Sequence, residues 1–333
     1  MSDLYIKKYI PKKSDDFIIH KNIIIKIDNL LKNNNVMNLF IYGKEGCGKY
    51  TIARYFIENY YNDECKNELI IQKNDSKEIK YFKSKYHYEI IINNYNFNDL
   101  NLVKSLLNTI VNKGTFRFTD KKNIIIIKNV NLIKNNINKL LRIYIEKYYL
   151  FNNFIFISNH KIINTFLGFF CNIRTSQPTD ENLKLVINNI LKKEKLKIED
   201  KDLNYIVKSS NRNFYNALNN LEYSFITGNY EKVENPTNCK LKFLFKILRK
   251  KNINSIIMIR EILNELIVEN VEINKILVYL LNKFKKDLVN EKISKNLFYE
   301  IFTLIINTSH NTSIGLRPII HLENCMIKII DIL

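Results

Sequence analysis

The 333-residue chain has few of the features that mark disulfide-bonded, zinc-binding or membrane proteins. Its five cysteines include no C-x-x-C pair, which excludes a zinc ribbon and gives no disulfide framework. The five histidines are dispersed, so no metal site is predicted. No apolar run reaches the length of about 18 residues that a membrane span needs, and the first residues, MSDLYIKKYIPKK, lack the apolar segment of a signal peptide. We expect a soluble intracellular protein with free thiols.

The charge of the chain is strongly unbalanced, with 52 Lys and Arg against 33 Asp and Glu and a formal net charge of +19. Lys and Arg neutralise phosphates and release counterions, so this excess favours a polyanionic partner such as a nucleic acid. The chain is also crowded with Lys, Asn and Ile, whose codons are AT-rich, and genome composition is therefore an alternative source of the basicity. The charge identifies no individual DNA-binding residue.

Short apolar runs alternate with helical patterns in the first half of the chain. The apolar runs are bounded by Asn, Gly or Lys and predict strands at residues 38–43, 87–94, 123–129 and 152–159. The patterns between them predict helices at residues 50–60, 99–112 and 134–148. Because these strands are apolar on both faces, the alternation predicts a parallel sheet flanked by helices.

After Pro178 the sequence contains only amphipathic helical patterns, with Thr179 as the first helix cap. Turns are expected near Asn252, Asn270, Asn290 and His310. A chain of this length is expected to form two or three domains. We predict an α/β domain at residues 1–178, a small helical lid at 179–234 and an all-α C-terminal domain at 235–333.

The stretch IYGKEGCGKYTIARYF, from Ile41 to Phe56, comes close to the phosphate-binding pattern G-x-x-x-x-G-K-[ST]. It lies between a predicted strand and a predicted helix, where backbone N–H groups can hold phosphates and the lysine can reach the terminal ones. A tyrosine takes the place of the metal-binding hydroxyl, and a threonine follows one position late. The candidate nucleotide-binding residues are Gly43, Lys44, Glu45, Gly46, Cys47, Gly48, Lys49, Tyr50 and Thr51.

The third predicted strand lacks the acids that hydrolysis requires at its end. Mg²⁺ and the attacking water need an acidic pair there, but the strand continues as Lys128, Asn129, Val130 and Asn131. An amide cannot act as a general base, and a lysine opposes a metal ion. We therefore predict no catalytic residue and no metal site, with substitution by Asp120 or another loop acid as the alternative.

Six segments, in order along the chain, resemble the small subunits of replication factor C, the eukaryotic sliding-clamp loader. They are KYIP at 8–11, LFIYGKEGCGK at 39–49, LLRIYIEKY at 140–148, FIFISN at 154–159, SNRNFYNALNNLE at 210–222 and SIGLRPIIHLENCMIKII at 313–330. One subunit type of this family, called subunit 3 in animals and subunit 5 in budding yeast, commonly reads GKKT at the phosphate loop. The GKYT of this chain is similar, because in both the usual hydroxyl position is taken by another residue and is followed by a threonine. The resemblance implies an AAA+ P-loop domain, a helical lid and an all-α collar that forms the oligomer.

The same resemblance identifies matches and departures at the family's functional positions. Asn159 matches the sensor 1 asparagine and joins the candidate nucleotide-binding residues, and Arg142 falls on a motif position. In the family's Ser-Arg-Cys motif, the arginine reaches the neighbouring subunit's ATP. The corresponding residues here are Phe169-Phe170-Cys171, without an arginine. The sensor 2 arginine aligns with Tyr215, and the arginine of the N-terminal motif is Ile10. These departures imply a subunit that neither hydrolyses ATP nor completes a neighbour's site.

The function implied by the resemblance is that of a non-catalytic clamp-loader subunit in DNA replication and repair. Its partners would be the other replication factor C subunits in a hetero-pentamer, a sliding clamp of the PCNA type, and the phosphate backbone of primer–template DNA. Its loop would hold ADP or ATP without hydrolysis. The expected location is the nucleus, or the cytoplasm for a viral protein. Two alternatives remain open: an independent P-loop ATPase of the helicase-loader kind, and a nucleotide-free scaffold.

Overall fold

A computed structural model describes residues 4–33, 36–64, 67–74, 77–92, 100–113, 121–133, 135–161, 168–228, 236–249, 255–269, 271–314 and 317–333. The chain divides into two compact units, Met1–Val233 and Glu234–Leu333. The boundary predicted between residues 178 and 179 lies inside the first unit and stays a prediction.

A seven-stranded mixed sheet forms the centre of the first unit, in the order β2-β3-β4-β5-β6-β1-β7. Strands β4, β5, β6, β1 and β7 are parallel, and β2 and β3 extend one edge antiparallel to β4. The strands are β1 Leu39–Tyr42, β2 Glu68–Asn74, β3 Lys77–Lys83, β4 His87–Ile91, β5 Asn123–Lys128, β6 Asn152–Ser158 and β7 Cys171–Arg174.

Helices cover both faces of this sheet. The first five helices are α1 Tyr5–Lys8, α2 Lys21–Lys32, α3 Lys49–Tyr61, α4 Leu100–Lys113 and α5 Asn135–Tyr148. Strand β5 illustrates the packing, because Ile125 and Ile127 lie in the core shared with α4 and α5, whereas Ile124 and Ile126 lie in the core shared with α2 and α3. Side chains alternate across a strand, so a strand covered on both sides is apolar throughout. The predicted parallel sheet flanked by helices is confirmed.

The sequence did not reveal strands β2, β3 and β7. The two antiparallel strands carry charged residues among their apolar ones, and Leu69 and Ile71 are exposed, so they lack the continuous apolar run of the central strands. Strand β7 has four residues, of which one, Ile173, is buried. An edge strand buries one face at most, and its sequence pattern is correspondingly weaker.

Three helices with a small core of their own follow the sheet within the first unit: α6 Asp180–Glu194, α7 Asp200–Ser209 and α8 Phe214–Thr227. Their buried side chains include Leu183, Ile206 and Leu221. The predicted cap is confirmed, because the hydroxyl of Thr179 accepts a hydrogen bond from the backbone N–H of Asn182 at 3.2 Å.

The described residues of the second unit form helices joined by turns, with no strand. Its helices are α9 Pro236–Leu248, α10 Ser255–Val268, α11 Ile273–Val289, α12 Lys295–Ile314 and α13 Pro318–Ile332. They bury a common core that contains Leu244, Leu263, Leu280, Phe284 and Met326. The all-α character predicted for this part of the chain is confirmed.

Of the predicted turns in this unit, the one near Asn290 is confirmed and the one near His310 is wrong. Helix α12 continues through His310, and the hydroxyls of Thr308 and Thr312 donate to the carbonyls of Leu304 and Ser309 in the preceding turn. Such bonds let short polar side chains stay within a helix. Positions 252 and 270 lie outside the described residues. In the part of the chain that the structure describes, no helix is long and apolar enough to cross a membrane.

Candidate nucleotide-binding site

The phosphate-loop segment connects the end of β1 to the start of α3, as predicted. Gly46 and Gly48 have φ values of 73° and 83°, in the left-handed region that favours glycine. Gly48 is also the N-cap of α3. At Gly43 the constraint is space, since an added Cβ would lie 2.4 Å from the carbonyl oxygen of Thr175. Local backbone geometry therefore accounts for all three glycines.

The loop directly precedes α3, so its backbone N–H groups lie at the N-terminus of that helix. N–H groups at the positive end of a helix favour anions. The loop backbone therefore fits the phosphates of a nucleotide.

The ammonium of Lys49 is held within the loop itself. Its Nζ donates to the carbonyls of Gly43 and Lys44, both at 2.7 Å, and to the side-chain oxygen of Asn159 at 3.1 Å. The side chain is largely buried, and this burial lowers the pKa of Lys49. Asn159 in turn receives support from Asn131, whose side-chain oxygen accepts the Asn159 backbone N–H at 3.4 Å. The structure thus brings together the lysine and the asparagine that the sequence assigned to one site.

Tyr50, at the hydroxyl position of the motif, points its phenol at a buried carboxylate. Its OH donates to Oε1 of Glu89 at 2.7 Å, and the ammonium of Lys128 lies 3.4 Å from the centre of its ring. Burial and the neighbouring carboxylate raise the pKa of Tyr50 well above its ordinary value. The phenol therefore stays protonated and acts as a donor.

The carboxylate of Glu89 is only 3% exposed and is the centre of a polar cluster. Its oxygens accept from Lys128 Nζ at 2.9 Å and from Asn67 Nδ2 at 2.8 Å, and His87 Nε2 lies 3.1 Å away. Burial alone would raise the pKa of Glu89, but hydrogen bonds from His87, Lys128 and Tyr50 outweigh it and lower the pKa to about 2. We call Tyr50, Asn67, His87, Glu89 and Lys128 the Glu89 cluster.

The residues at the positions that the resemblance assigns to the family's acids do not fit a magnesium ion, which prefers carboxylate and water oxygens. Lys128 is a cation paired with Glu89. The side-chain amide of Asn129 donates to the carbonyl of Ile92 at 3.3 Å, and the side-chain oxygen of Asn131 accepts from Asn159. Within the described residues, no group of three or more His, Cys, Asp or Glu side chains is arranged to hold a metal ion.

The start of helix α8 contacts the phosphate loop. The backbone N–H of Phe214 donates to the carbonyl of Gly46 at 3.1 Å, and a Cβ added to Gly46 would lie 1.9 Å from the side-chain oxygen of Asn213. His20 also contacts the loop, with its Nε2 3.1 Å from the carbonyl of Cys47. The side chain at the sensor 2 position, Tyr215, is exposed.

The position that the resemblance assigns to the family's reaching arginine, Phe170, is part of the hydrophobic core. Phe170 is buried, and its ring centre lies 4.5 Å from that of Phe156 and 6.5 Å from that of Phe40. The guanidinium of Arg142 lies over the ring of the preceding residue, Phe169, at 5.4 Å. A core phenylalanine cannot extend toward another subunit.

Two other arginines near the motifs lie at the surface. Arg174 is exposed at the end of β7. Arg212 lies 3.4 Å from Asp180, with both side chains about half exposed. Among the described contacts, neither arginine reaches the phosphate loop.

Sequence reasoning missed the Glu89 cluster apart from Tyr50 and Lys128, and it missed the contacts of His20 and Asn213. One signal was present for the cluster. Strand β4 reads HYEII. His87 and Glu89 are two residues apart and therefore lie on the same face of a strand that is mostly apolar and buried. Two polar residues at that spacing in a central strand indicate a shared buried partner, because buried charges are normally paired.

Comparison with known proteins agrees with this geometry. Residues 1–164 match the family model described as the Rad17 P-loop domain. Replication factor C subunit 3 of Arabidopsis thaliana is 24% identical over 351 residues, covering 99% of this chain and 97% of that protein. Replication factor C subunit 5 of Saccharomyces cerevisiae is 23% identical, covering 98% of each.

A viral relative matches a shorter part of the chain. A replication factor C small subunit of Acanthamoeba polyphaga mimivirus is 28% identical over 224 residues, which are 64% of this chain and 60% of that protein. The phosphate-loop fold, the helical C-terminal unit and the full-length similarities agree with one another. Residues 1–164 therefore carry a P-loop domain of the AAA+ type, and the chain is similar to replication factor C small subunits over almost its whole length.

Proposed function

We propose that the chain is a non-catalytic small subunit of a clamp loader, with a nucleotide site that binds without hydrolysing. Its similarity to replication factor C subunits over almost their whole length supports the clamp-loader role. In such a subunit the helical second unit would assemble with the other subunits of a hetero-pentamer.

The observation that carries the non-catalytic part of this proposal is the contact between Tyr50 and Lys128. In a working phosphate loop these two positions hold a hydroxyl and an acid that share Mg²⁺. Here a phenol and an ammonium lie against each other, with 3.4 Å between the ammonium and the ring centre. The base position is Asn129, whose amide donates to a backbone carbonyl. These positions therefore offer no ligand for the metal ion and no general base for the attacking water.

The remaining features of the site support binding. The backbone N–H groups of the loop before α3, together with Lys49, suit the phosphates of ADP or ATP. A nucleotide that binds only the folded protein stabilises it by mass action, without turnover. The bound nucleotide would act as a structural part of the ring.

The other partners follow from the proposed role. A sliding clamp of the PCNA type and primer–template DNA would face the first unit, and the net charge of +19 suits contacts to the phosphate backbone. Binding of the assembled complex to DNA should weaken steeply as salt rises, and a flat response would contradict backbone contacts. The proposed location is the nucleus, or the cytoplasm for a viral protein.

The test of this function is co-purification followed by an ATPase assay. The tagged chain is co-expressed with the other small subunits of its source and purified, and we expect those subunits to be retained in stoichiometric amounts. The isolated chain should hydrolyse no ATP above background. Steady-state hydrolysis by the isolated chain, lost in Lys49→Ala, would instead establish the independent ATPase.

A nucleotide-free scaffold is the second candidate, and one observation favours it. The three hydrogen bonds of Lys49 all go to groups of the protein, so the loop is internally satisfied around its lysine. The melting temperature distinguishes the two candidates. ADP should raise it if the loop binds nucleotide, and it should stay unchanged for a scaffold.

A further inference from the structure

We infer that the ammonium of Lys128 takes the place of the divalent cation, so that the loop selects nucleotides that carry no metal. This inference rests on the nucleotide-binding part of the proposed function. It names the ligand class as a metal-free nucleoside di- or triphosphate. It also assigns Lys128 as the residue that determines this choice.

The first step is the position of the ammonium. Lys128 follows the buried run of β5, where the family has an acid that binds the metal, and Tyr50 stands where the family has the hydroxyl of the same metal. The ammonium lies 3.4 Å from the centre of the Tyr50 ring, a distance within the range of cation–π contacts. The two positions that would share a metal ion therefore share an ammonium.

The second step is the charge balance of the Glu89 cluster. It holds one carboxylate and one ammonium, which form an ion pair at 2.9 Å, and Tyr50 and Asn67 supply neutral donors to the same carboxylate. A working site offers unpaired carboxylates to a doubly charged ion. This cluster offers none, because the hydrogen bonds of Glu89 are already directed to protein partners. A magnesium ion here would add two positive charges beside the ammonium of Lys128, with no unpaired carboxylate in the cluster to compensate them.

The third step excludes a simple shift of the hydroxyl to Thr51. Successive residues of an α-helix point about 100° apart, and both residues belong to the first turn of α3. The Thr51 side chain therefore leaves the helix in a different direction from that of Tyr50, which reaches Glu89. The hydroxyl of Thr51, one position after the hydroxyl position of the motif, therefore does not replace the missing metal ligand.

The consequence is a preference that can be measured. Excess Mg²⁺ converts ATP into its magnesium complex, which would bring the metal toward the ammonium. ATP should therefore bind the wild-type chain no better in excess Mg²⁺ than in EDTA. If the metal of the magnesium complex comes as close to the Lys128 ammonium as it does to the acid of a working site, binding in Mg²⁺ should be about tenfold weaker. Isothermal titration calorimetry of the full chain with ATP under the two conditions measures this ratio, and ADP serves as a second probe.

Two substitutions test the role of Lys128, and a third serves as the control. Lys128→Gln keeps a hydrogen-bond donor without the charge, and Lys128→Met removes both. Either variant should bind ATP with a smaller penalty from Mg²⁺. The control is Lys122→Met, at the residue just before the start of β5. The Nζ of Lys122 donates to the carbonyl of Tyr149 and not to Glu89, so this variant should keep the wild-type ratio of ATP affinities in Mg²⁺ and in EDTA.

Each result decides the inference. Tighter binding of ATP to the wild type in excess Mg²⁺ would overturn it, while the binding itself would uphold the nucleotide site. A penalty unchanged in a folded Lys128→Gln would overturn the assignment to Lys128. Absence of ATP and ADP binding in both buffers would overturn the inference and the nucleotide site together. The ring-subunit role would then still be decided by co-purification.

Discussion

Lys49 and Asn159, which are 110 positions apart in the chain, meet across the nucleotide site with 3.1 Å between the ammonium and the side-chain oxygen. The contact joins the phosphate loop to the end of strand β6, because β1 and β6 are adjacent and parallel and therefore end at the same edge of the sheet. The ammonium completes its hydrogen bonds with the loop carbonyls of Gly43 and Lys44. The charged group of the phosphate loop thus also supports the loop's own structure.

The first prediction concerns this support. Lys49→Met should lower the free energy of unfolding by about 1–3 kcal/mol, because two loop carbonyls and the Asn159 oxygen lose their donor. The same substitution should abolish the rise in melting temperature that ADP produces in the wild type. Thermal unfolding with and without ADP measures both effects.

A matched control for this prediction is Lys44→Met. It removes the same charge from the same loop, but its side chain is exposed. We expect a change within about 0.5 kcal/mol. Equal destabilisation by the two substitutions would assign the effect to the loss of charge instead of to the hydrogen bonds of Lys49.

The second prediction concerns the ion pair of Glu89 and Lys128. Glu89→Gln keeps the shape of the side chain but leaves a largely buried ammonium without its counter-ion. Breaking such a pair from one side is strongly destabilising, and we expect a loss of about 2–4 kcal/mol. Adding Lys128→Met to Glu89→Gln should recover part of this loss. A double variant as unstable as the sum of the two single ones would contradict a direct coupling.

The third prediction is the pH dependence that the same carboxylate produces. The pKa of Glu89 is about 2 in the folded chain, against an ordinary value of 4.5. A lowered pKa means that the stabilisation is present above about pH 4.5 and is lost as the pH falls toward 2. The difference corresponds to about 3 kcal/mol. Denaturant unfolding at a series of pH values should therefore show a steeper acid loss in the wild type than in Glu89→Gln.

The sequence predicted this site only as far as its local patterns extend. The glycines and Lys49 follow from the phosphate-loop spacing, and the central strands follow from their apolar runs. The partner of Tyr50 did not follow, because Glu89 lies on a strand that becomes its neighbour only when the sheet forms. A contact across strands is set by tertiary packing and leaves no spacing in the sequence.

The position of the family's reaching arginine is a similar case. The sequence identified the departure at residues 169–171, but it gave no reason for it. In the structure Phe170 packs against Phe40 and Phe156 in the core. A phenylalanine at this position is therefore accounted for by its packing in the core.

The fourth prediction tests that position. Phe170→Ala should cost about 3–5 kcal/mol, as expected when a buried aromatic side chain is deleted. Phe170→Arg should destabilise the chain as well, because it puts a charge without a partner into the core. Phe170→Leu, which keeps an apolar side chain, should cost less than either. A stable Phe170→Arg that raised ATP hydrolysis by a co-assembled neighbour would contradict the core assignment.

The fifth prediction tests the contact between the phosphate loop and helix α8. Gly46→Ala and Gly48→Ala introduce the same methyl group at similar positive φ values, which by themselves cost about 1 kcal/mol. At Gly48 the added Cβ meets nothing within 4 Å, whereas at Gly46 it would lie 1.9 Å from the side chain of Asn213.

Gly46→Ala should therefore destabilise the chain by about 1 kcal/mol more than Gly48→Ala, because Asn213 must move and its side chain caps α8. Urea unfolding of the two variants measures the difference. Adding Asn213→Ala to each glycine variant separates the clash from the backbone strain, since the substitution removes the atoms that the new methyl group would meet. If the difference between the glycine variants survives in the Asn213→Ala background, the contact of Gly46 with the start of α8 is not its cause.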